Sequence, residues 1–126
     1  MWVNFEVEFY ETVDGKTPVE DFLLCLDSKM RAKLVHLMEL LEDKGTSLRE
    51  PYVKHLKAGI FELRCRLGNN STRALFFFYI DGKIIITNGF VKKTQKTPPE
   101  EIRLAKTRRE DYIHRKREEN EKSKTV

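Results

Sequence analysis

Hydrophobic and polar residues alternate through VNFEVEFYE near the start of the chain, with Val3, Phe5, Val7 and Phe9 at every second position. That period of two predicts a half-buried strand with those four side chains on its inner face. Asp14-Gly15 reads as a turn. Thr17-Pro18-Val19-Glu20 then has the order of a capping box, with Thr17 as N-cap, proline at the first helical position and glutamate at the third. Beyond it the spacing becomes helical. Val19, Phe22, Leu23 and Leu26 predict a short helix, and Met30, Leu34, Leu37, Met38 and Leu41 a longer one that stops at Gly45.

REPYVKHLKAG reads as a basic connection, and three strands follow it. In GIFELRCRL the same alternation puts Phe61, Leu63, Cys65 and Leu67 on a core face and Ile60, Glu62, Arg64 and Arg66 on a charged one. Gly68-Asn69-Asn70-Ser71 is a loop into RALFFFYI, which is apolar on both faces except at Arg73 and so reads as a central strand. Asp81-Gly82 is a hairpin signal that needs positive φ angles, and it joins this strand antiparallel to KIIITNGFVKK. Thr97-Pro98-Pro99-Glu100 opens a last helix through a second capping box, with Ile102, Ala105, Tyr112 and Ile113 as its apolar side. RKREENEKSKTV, from residue 115, reads as a polar, flexible tail, which leaves residues 1–114 as one domain without repeats or a linker.

At 126 residues and 40% hydrophobic content, the chain can bury a single core of about two layers. It has no apolar run of membrane-spanning length, and its alternating N-terminus lacks the basic start and apolar stretch of a secretory signal, so a cytoplasmic protein with no membrane partner is expected. Cys25 and Cys65 stand in no metal-ligand spacing and read as small buried apolar residues; no metal or cofactor is expected. The net charge of +4 is unevenly spread. Residues 1–48 carry five Lys/Arg against ten Asp/Glu, residues 49–96 ten against three, and residues 97–126 nine against seven. A basic stretch that coincides with the strands points to an anionic partner, with nucleic acid first among the candidates.

The topology lets these cations converge. Arg64 and Arg66 share a strand face beside Glu62, Arg73 opens the next strand, and the Asp81-Gly82 hairpin returns Lys92, Lys93 and Lys96 to the same end of the sheet. Cations gathered from separate segments suit a phosphodiester, because they hold the scissile phosphate and offset the charge that grows in its transition state. Arg64 has a second reading as a salt-bridge partner of Glu62. Lys92 and Lys93 point to opposite sides, so at most one faces such a site. Arg73, Lys93, Arg64, Lys96, Lys54, His55, Lys57, Arg66 and Lys92 are the candidate anion-binding residues, a pattern that by itself does not separate binding from cleavage. His36 and His114 lie in helices among charged neighbours and carry no assigned role.

The succession LKAGIFELR, RALFFFY and GFVKKTQKTPPEEIRLAKTRREDY resembles the HigB-like, phage-derived branch of the RelE/ParE superfamily of type II toxins, over residues 3–113. The resemblance implies an α+β fold with two N-terminal helices packed on a twisted antiparallel sheet and a C-terminal helix. It also implies a toxin that cuts mRNA in the ribosomal A site without a metal ion. A cognate helix-turn-helix antitoxin would neutralise it, and operator DNA would be met only through the antitoxin complex. Arg73 matches the arginine that holds the scissile phosphate in RelE-like toxins, Lys92 or Lys93 a basic residue after the last core strand, with Lys96 a further candidate, and Arg64 the arginine of the ELR motif. The resemblance thus implies Arg73, Lys93, Arg64 and Lys96 as catalytic residues and Lys54, His55, Lys57, Arg66 and Lys92 as RNA contacts. The sequence departs from the RelE pattern where a lysine pair would stand, since Ile60 and Glu62 occupy those positions, and no C-terminal tyrosine or histidine takes the usual place. The general acid and base are therefore unassigned. A ParE-like inhibitor of DNA gyrase and a non-catalytic RNA-binding module are the alternative readings.

Overall fold

The computed structural model describes residues 4–124. Val3, expected on the first strand, lies outside them. In chain order the elements are β1 (Glu6–Phe9), α1 (Pro18–Cys25), α2 (Ser28–Lys44), β2 (Val53–Lys57), β3 (Ile60–Leu67), β4 (Asn70–Tyr79), β5 (Lys83–Val91) and α3 (Pro99–Lys124). The fold is α+β, with a five-stranded sheet in the order β1-β5-β4-β3-β2.

Two of these features correct the sequence reading. The sheet is mixed, because β1 pairs with β5 in parallel while every other pair is antiparallel. Alternation reports which face a side chain takes and carries no information on strand direction; only a short hairpin does, and none joins β1 to β5. The basic connection also contains a strand. β2 is an edge strand in which Val53 alone is fully buried, and its lysines are what an open edge carries to block pairing with another chain. Ala58 and Gly59, at φ 50° and 79°, turn it into β3.

The molecule has three layers where two were expected. On one face of the sheet, α1 and α2 pack Val19, Leu34 and Leu41 against Leu63, Ala74, Phe76, Ile84 and Ile86. On the other, α3 sets Ala105 and Tyr112 against Ile60, Leu75, Phe77 and Ile85. The outer face of β3 is therefore partly a second core, and Ile60 and Glu62 are buried in it. Cys65 is buried as expected, whereas Cys25 is exposed at the end of α1. The first capping box differs from expectation, because Thr17 is the N-cap of α1 without a side-chain capping bond; α2 has a side-chain cap in Asp27, which accepts the Met30 N–H at 3.0 Å. Residues 115–124, read as tail, continue α3. Among the described residues no helix is long and apolar enough to cross a membrane.

The seat of α3 positions the site. A bulge in the β4–β5 ladder pairs Leu75 with Asn88 and Phe76 with Ile86, leaving Thr87 as the extra residue. The Thr87 carbonyl accepts from Arg108 Nη1 at 2.8 Å, and Asn88 Nδ2 donates to the carbonyl and carboxylate of Glu101 at 3.2 and 2.9 Å. Further along, Tyr10 Oη donates to Asp111 at 2.6 Å. The Thr87 and Asn88 bonds pin the start of α3 to β5 and so fix both ends of the loop over residues 92–98, while the Tyr10 bond ties α3 to the segment after β1.

Candidate functional site

Because α3 lies mainly over β5 and β4, the outer ends of β3 and β2 stay open. The organising residue there is Glu62, only 1% exposed. The β3–β4 register sets Arg64 directly opposite Arg73, and like charges so placed repel. Glu62 offsets that repulsion: its Oε1 lies 3.6 Å from Arg64 Nε and 3.5 Å from Arg73 Nε. Its Oε2 accepts the Thr97 hydroxyl hydrogen bond, which draws the loop after β5 onto the same carboxylate. Thr97, expected as a cap, thus links loop to sheet.

Arg73 is held tightly. Its Nη1 donates to Ser71 Oγ at 2.5 Å and to the Thr72 carbonyl at 3.0 Å, its Nε is buried without a hydrogen bond, and 10% of the side chain is accessible. Burial lowers its pKa from the ordinary arginine value and Glu62 opposes the shift, yet a guanidinium remains charged. Arg64 is more open, at 29%, and also meets Glu50 at 3.9 Å. Lys92 is half-buried. Burial lowers its ammonium pKa, Glu62 opposes that, and Arg73, Arg64 and Lys54 push it further down.

Three adjoining cavities surround this cluster. One of about 500 Å³ is lined by Arg64, Arg66, Ser71, Arg73, Lys92 and Lys93. Another, of about 340 Å³, lies between β2 and the start of α3 and takes in Lys54, Glu62, Lys92 and Lys96, with Arg103 and Lys106 from α3. The third, of about 300 Å³, shares Arg64, Arg66 and Arg73 with the first and reaches Lys33, Leu37, Pro51 and Tyr52. Arg64, Arg66, Arg73, Lys92 and Lys93 are thus brought together, and Lys54, Lys57 and Lys96 lie on the adjoining wall. Lys92 and Lys93 both border the larger cavity, with Lys93 exposed. His55 also borders the β2 side, but its ring packs 4.9 Å from Phe61 and its Nε2 accepts the Gly59 N–H at 3.2 Å. Its polar edge is engaged with its own turn.

Sequence reasoning missed Arg103, Lys106, Lys33 and Tyr52. Arg103 and Lys106 stand three apart, one face of a helix, beside the apolar Ile102 and Ala105, so their direction was readable once the α3 stripe was known. Lys33 and Tyr52 reach the site only through the packing of α2 against the sheet. Among the described residues no cluster of three or more His, Cys, Asp or Glu is arranged to hold a metal ion. What the arrangement offers chemically is a dense set of fixed cations around one buried carboxylate, open to an extended anion.

Comparison with known proteins agrees with this picture. The sequence pattern of the family described as "Phage derived protein Gp49-like" matches residues 21–110. Two proteins named "Probable endoribonuclease HigB1", from two strains of Mycobacterium tuberculosis, are each 33% identical over 99 residues, covering 77% of this chain and 75% of the relative. The chain belongs to the Gp49-like family, the phage-derived, HigB-like branch of the RelE toxin superfamily.

Proposed function

We propose that this protein is the toxin of a type II toxin-antitoxin pair and that it acts in the cytoplasm as an endoribonuclease, cutting mRNA on the ribosome until a helix-turn-helix antitoxin neutralises it. The observation that carries the reading is the convergence of Arg64, Arg66, Arg73 and Lys92, from β3, β4 and the loop after β5, at one open cavity. Similarity to proteins named as endoribonucleases supports it. Operator DNA is met only through the antitoxin.

The substrate supplies its own nucleophile. The 2′-hydroxyl oxygen bonds to the adjacent phosphorus and the P–O5′ bond breaks, leaving a 2′,3′-cyclic phosphate and a free 5′-hydroxyl, with no metal in the scheme. Arg73 and Arg64 hold the phosphate and offset the charge that builds on its oxygens. Glu62 is too buried to reach RNA and keeps both guanidiniums in place. Lys92, half-buried among Arg64, Arg73 and Lys54, with its pKa lowered first by burial, takes the 2′-hydroxyl proton. Lys93 and Lys96, both exposed on the loop, are the cations available to protonate the leaving oxygen. The ribosome contributes by holding the strand in the geometry of attack.

Arg73→Ala is expected to lower cleavage by about a hundredfold or more, the scale of losing one charge-stabilising donor, while the circular dichroism spectrum and antitoxin binding persist. Arg73→Lys controls for folding, since it keeps a cation beside Glu62. Cleavage by a folded Arg73→Ala protein at the wild-type rate would remove Arg73 from the mechanism.

A further inference from the structure

The third cavity extends from Arg64 and Arg73 to residues the chemistry above leaves without a role. It is lined by Lys33, Leu37, Pro51 and Tyr52 together with Arg64, Arg66 and Arg73, which it shares with the cation-lined cavity next door. Tyr52 is 43% exposed, an unusual place for a large aromatic ring. It is also well held. Its N–H donates to the Arg49 carbonyl at 3.0 Å, and its carbonyl accepts from Arg64 at 2.7 Å, which ties the ring's backbone to the strand that carries the arginines. Leu37, Pro51 and the Tyr52 ring give this cavity an apolar side that the neighbouring one lacks, which suits a nucleobase: aromatic rings and guanidinium planes are the side chains on which unstacked bases settle.

We propose that this cavity is a nucleobase subsite, in which the base of a nucleotide flanking the scissile phosphate stacks on Tyr52 while Arg64 and Arg66 contact its edge. The inference rests on the endoribonuclease reading and extends it from the phosphate to substrate choice. The Tyr52 ring positions the strand and contributes to which codons are cut; it transfers no proton.

The test is cleavage of an mRNA of varied codons on programmed ribosomes by wild type, Tyr52→Ala and Tyr52→Phe, with every cut mapped and KM and kcat separated. One base–aromatic stack corresponds to a KM rise of about tenfold for Tyr52→Ala. Its codon preference should flatten and kcat should hold, and Tyr52→Phe, which keeps the ring, should restore both. Thermal melts establish that Tyr52→Ala is folded, as expected for a ring this exposed. A folded Tyr52→Ala with unchanged KM and codon preference overturns the subsite while leaving the nuclease in place. A raised KM with unchanged codon preference also overturns it, because the ring would then meet the ribosome and not a base. Wild-type protein that cuts nothing defeats the endoribonuclease reading itself, an outcome distinct from either.

Discussion

Glu62→Ala is the perturbation that reaches deepest into this structure. The carboxylate is 1% exposed, faces two guanidiniums at 3.5 and 3.6 Å and accepts a hydrogen bond from Thr97. Its removal leaves Arg73, nine-tenths buried, opposite Arg64 with nothing between them. Breaking a buried ion pair from one side costs about 3–5 kcal/mol, because the charge left behind is uncompensated. Arg64 is 29% exposed and recovers some solvation, so the lower end, about 3 kcal/mol, is expected here. For a domain of this size that is a large share of a total of about 5–15 kcal/mol and a fall in melting temperature of about 10 °C. Urea denaturation monitored by circular dichroism measures it, with the slope checked for a change in the unfolded state. Removing both partners should cost less than the sum, so a Glu62→Ala/Arg73→Ala cycle should show a coupling of about 1–3 kcal/mol. A loss below about 1 kcal/mol for Glu62→Ala, or strictly additive single changes, would refute the placement of Glu62 as the charge that holds the cluster together.

Three further outcomes follow from the same structure. Lys92 has a lowered folded-state pKa, so between that value and the ordinary lysine value of about 10.4 the unfolded chain binds more protons, and its contribution to stability rises with pH across that window. Denaturation midpoints of Lys92→Met and wild type, compared from neutral to alkaline pH, should diverge in that sense. In the cleavage assay, Lys92→Arg cannot deprotonate, so the rise of rate with pH expected of the wild type should flatten; an unchanged profile would assign the proton to another group. Gly89→Ala places a Cβ 2.5 Å from Cδ2 of the Phe22 ring. Overpacking of that kind costs about 1–3 kcal/mol, and a melt of Gly89→Ala/Phe22→Leu should recover part of it if the clash is the cause.

Much of the central sheet was legible because its turns carry local chemistry. Asp81 and Gly82 have φ angles of 63° and 76°, as their hairpin requires, so β4 and β5 pair as the sequence predicts, and with β3 before them the middle of the sheet follows. β2 was hidden because an edge strand exposes lysines on both sides of Val53 and Leu56 and shows little alternation. The parallel partner of β1 was hidden because two helices and three strands separate it from β5 in the chain. Glu62 looked solvated because the alternation of β3 groups it with arginines; only the placement of α3 and the Thr97 loop over that face closes it off. The same holds for the site. The cations were readable one by one, since the period of two and the hairpin bring them to one end of the sheet. Arg103 and Lys106 follow from the α3 stripe once α3 is known to face the site, whereas Tyr52 and Lys33 join through tertiary packing, which no local pattern reports.

The most direct test of the central claim is cleavage of a defined mRNA by the purified, folded protein, with and without programmed ribosomes, and chemical mapping of the new ends. Cuts that appear only with ribosomes, leaving a 2′,3′-cyclic phosphate and a 5′-hydroxyl, are the expected result. Intact mRNA under both conditions would contradict the account, and inhibition of DNA supercoiling by the same preparation would then identify gyrase as the target.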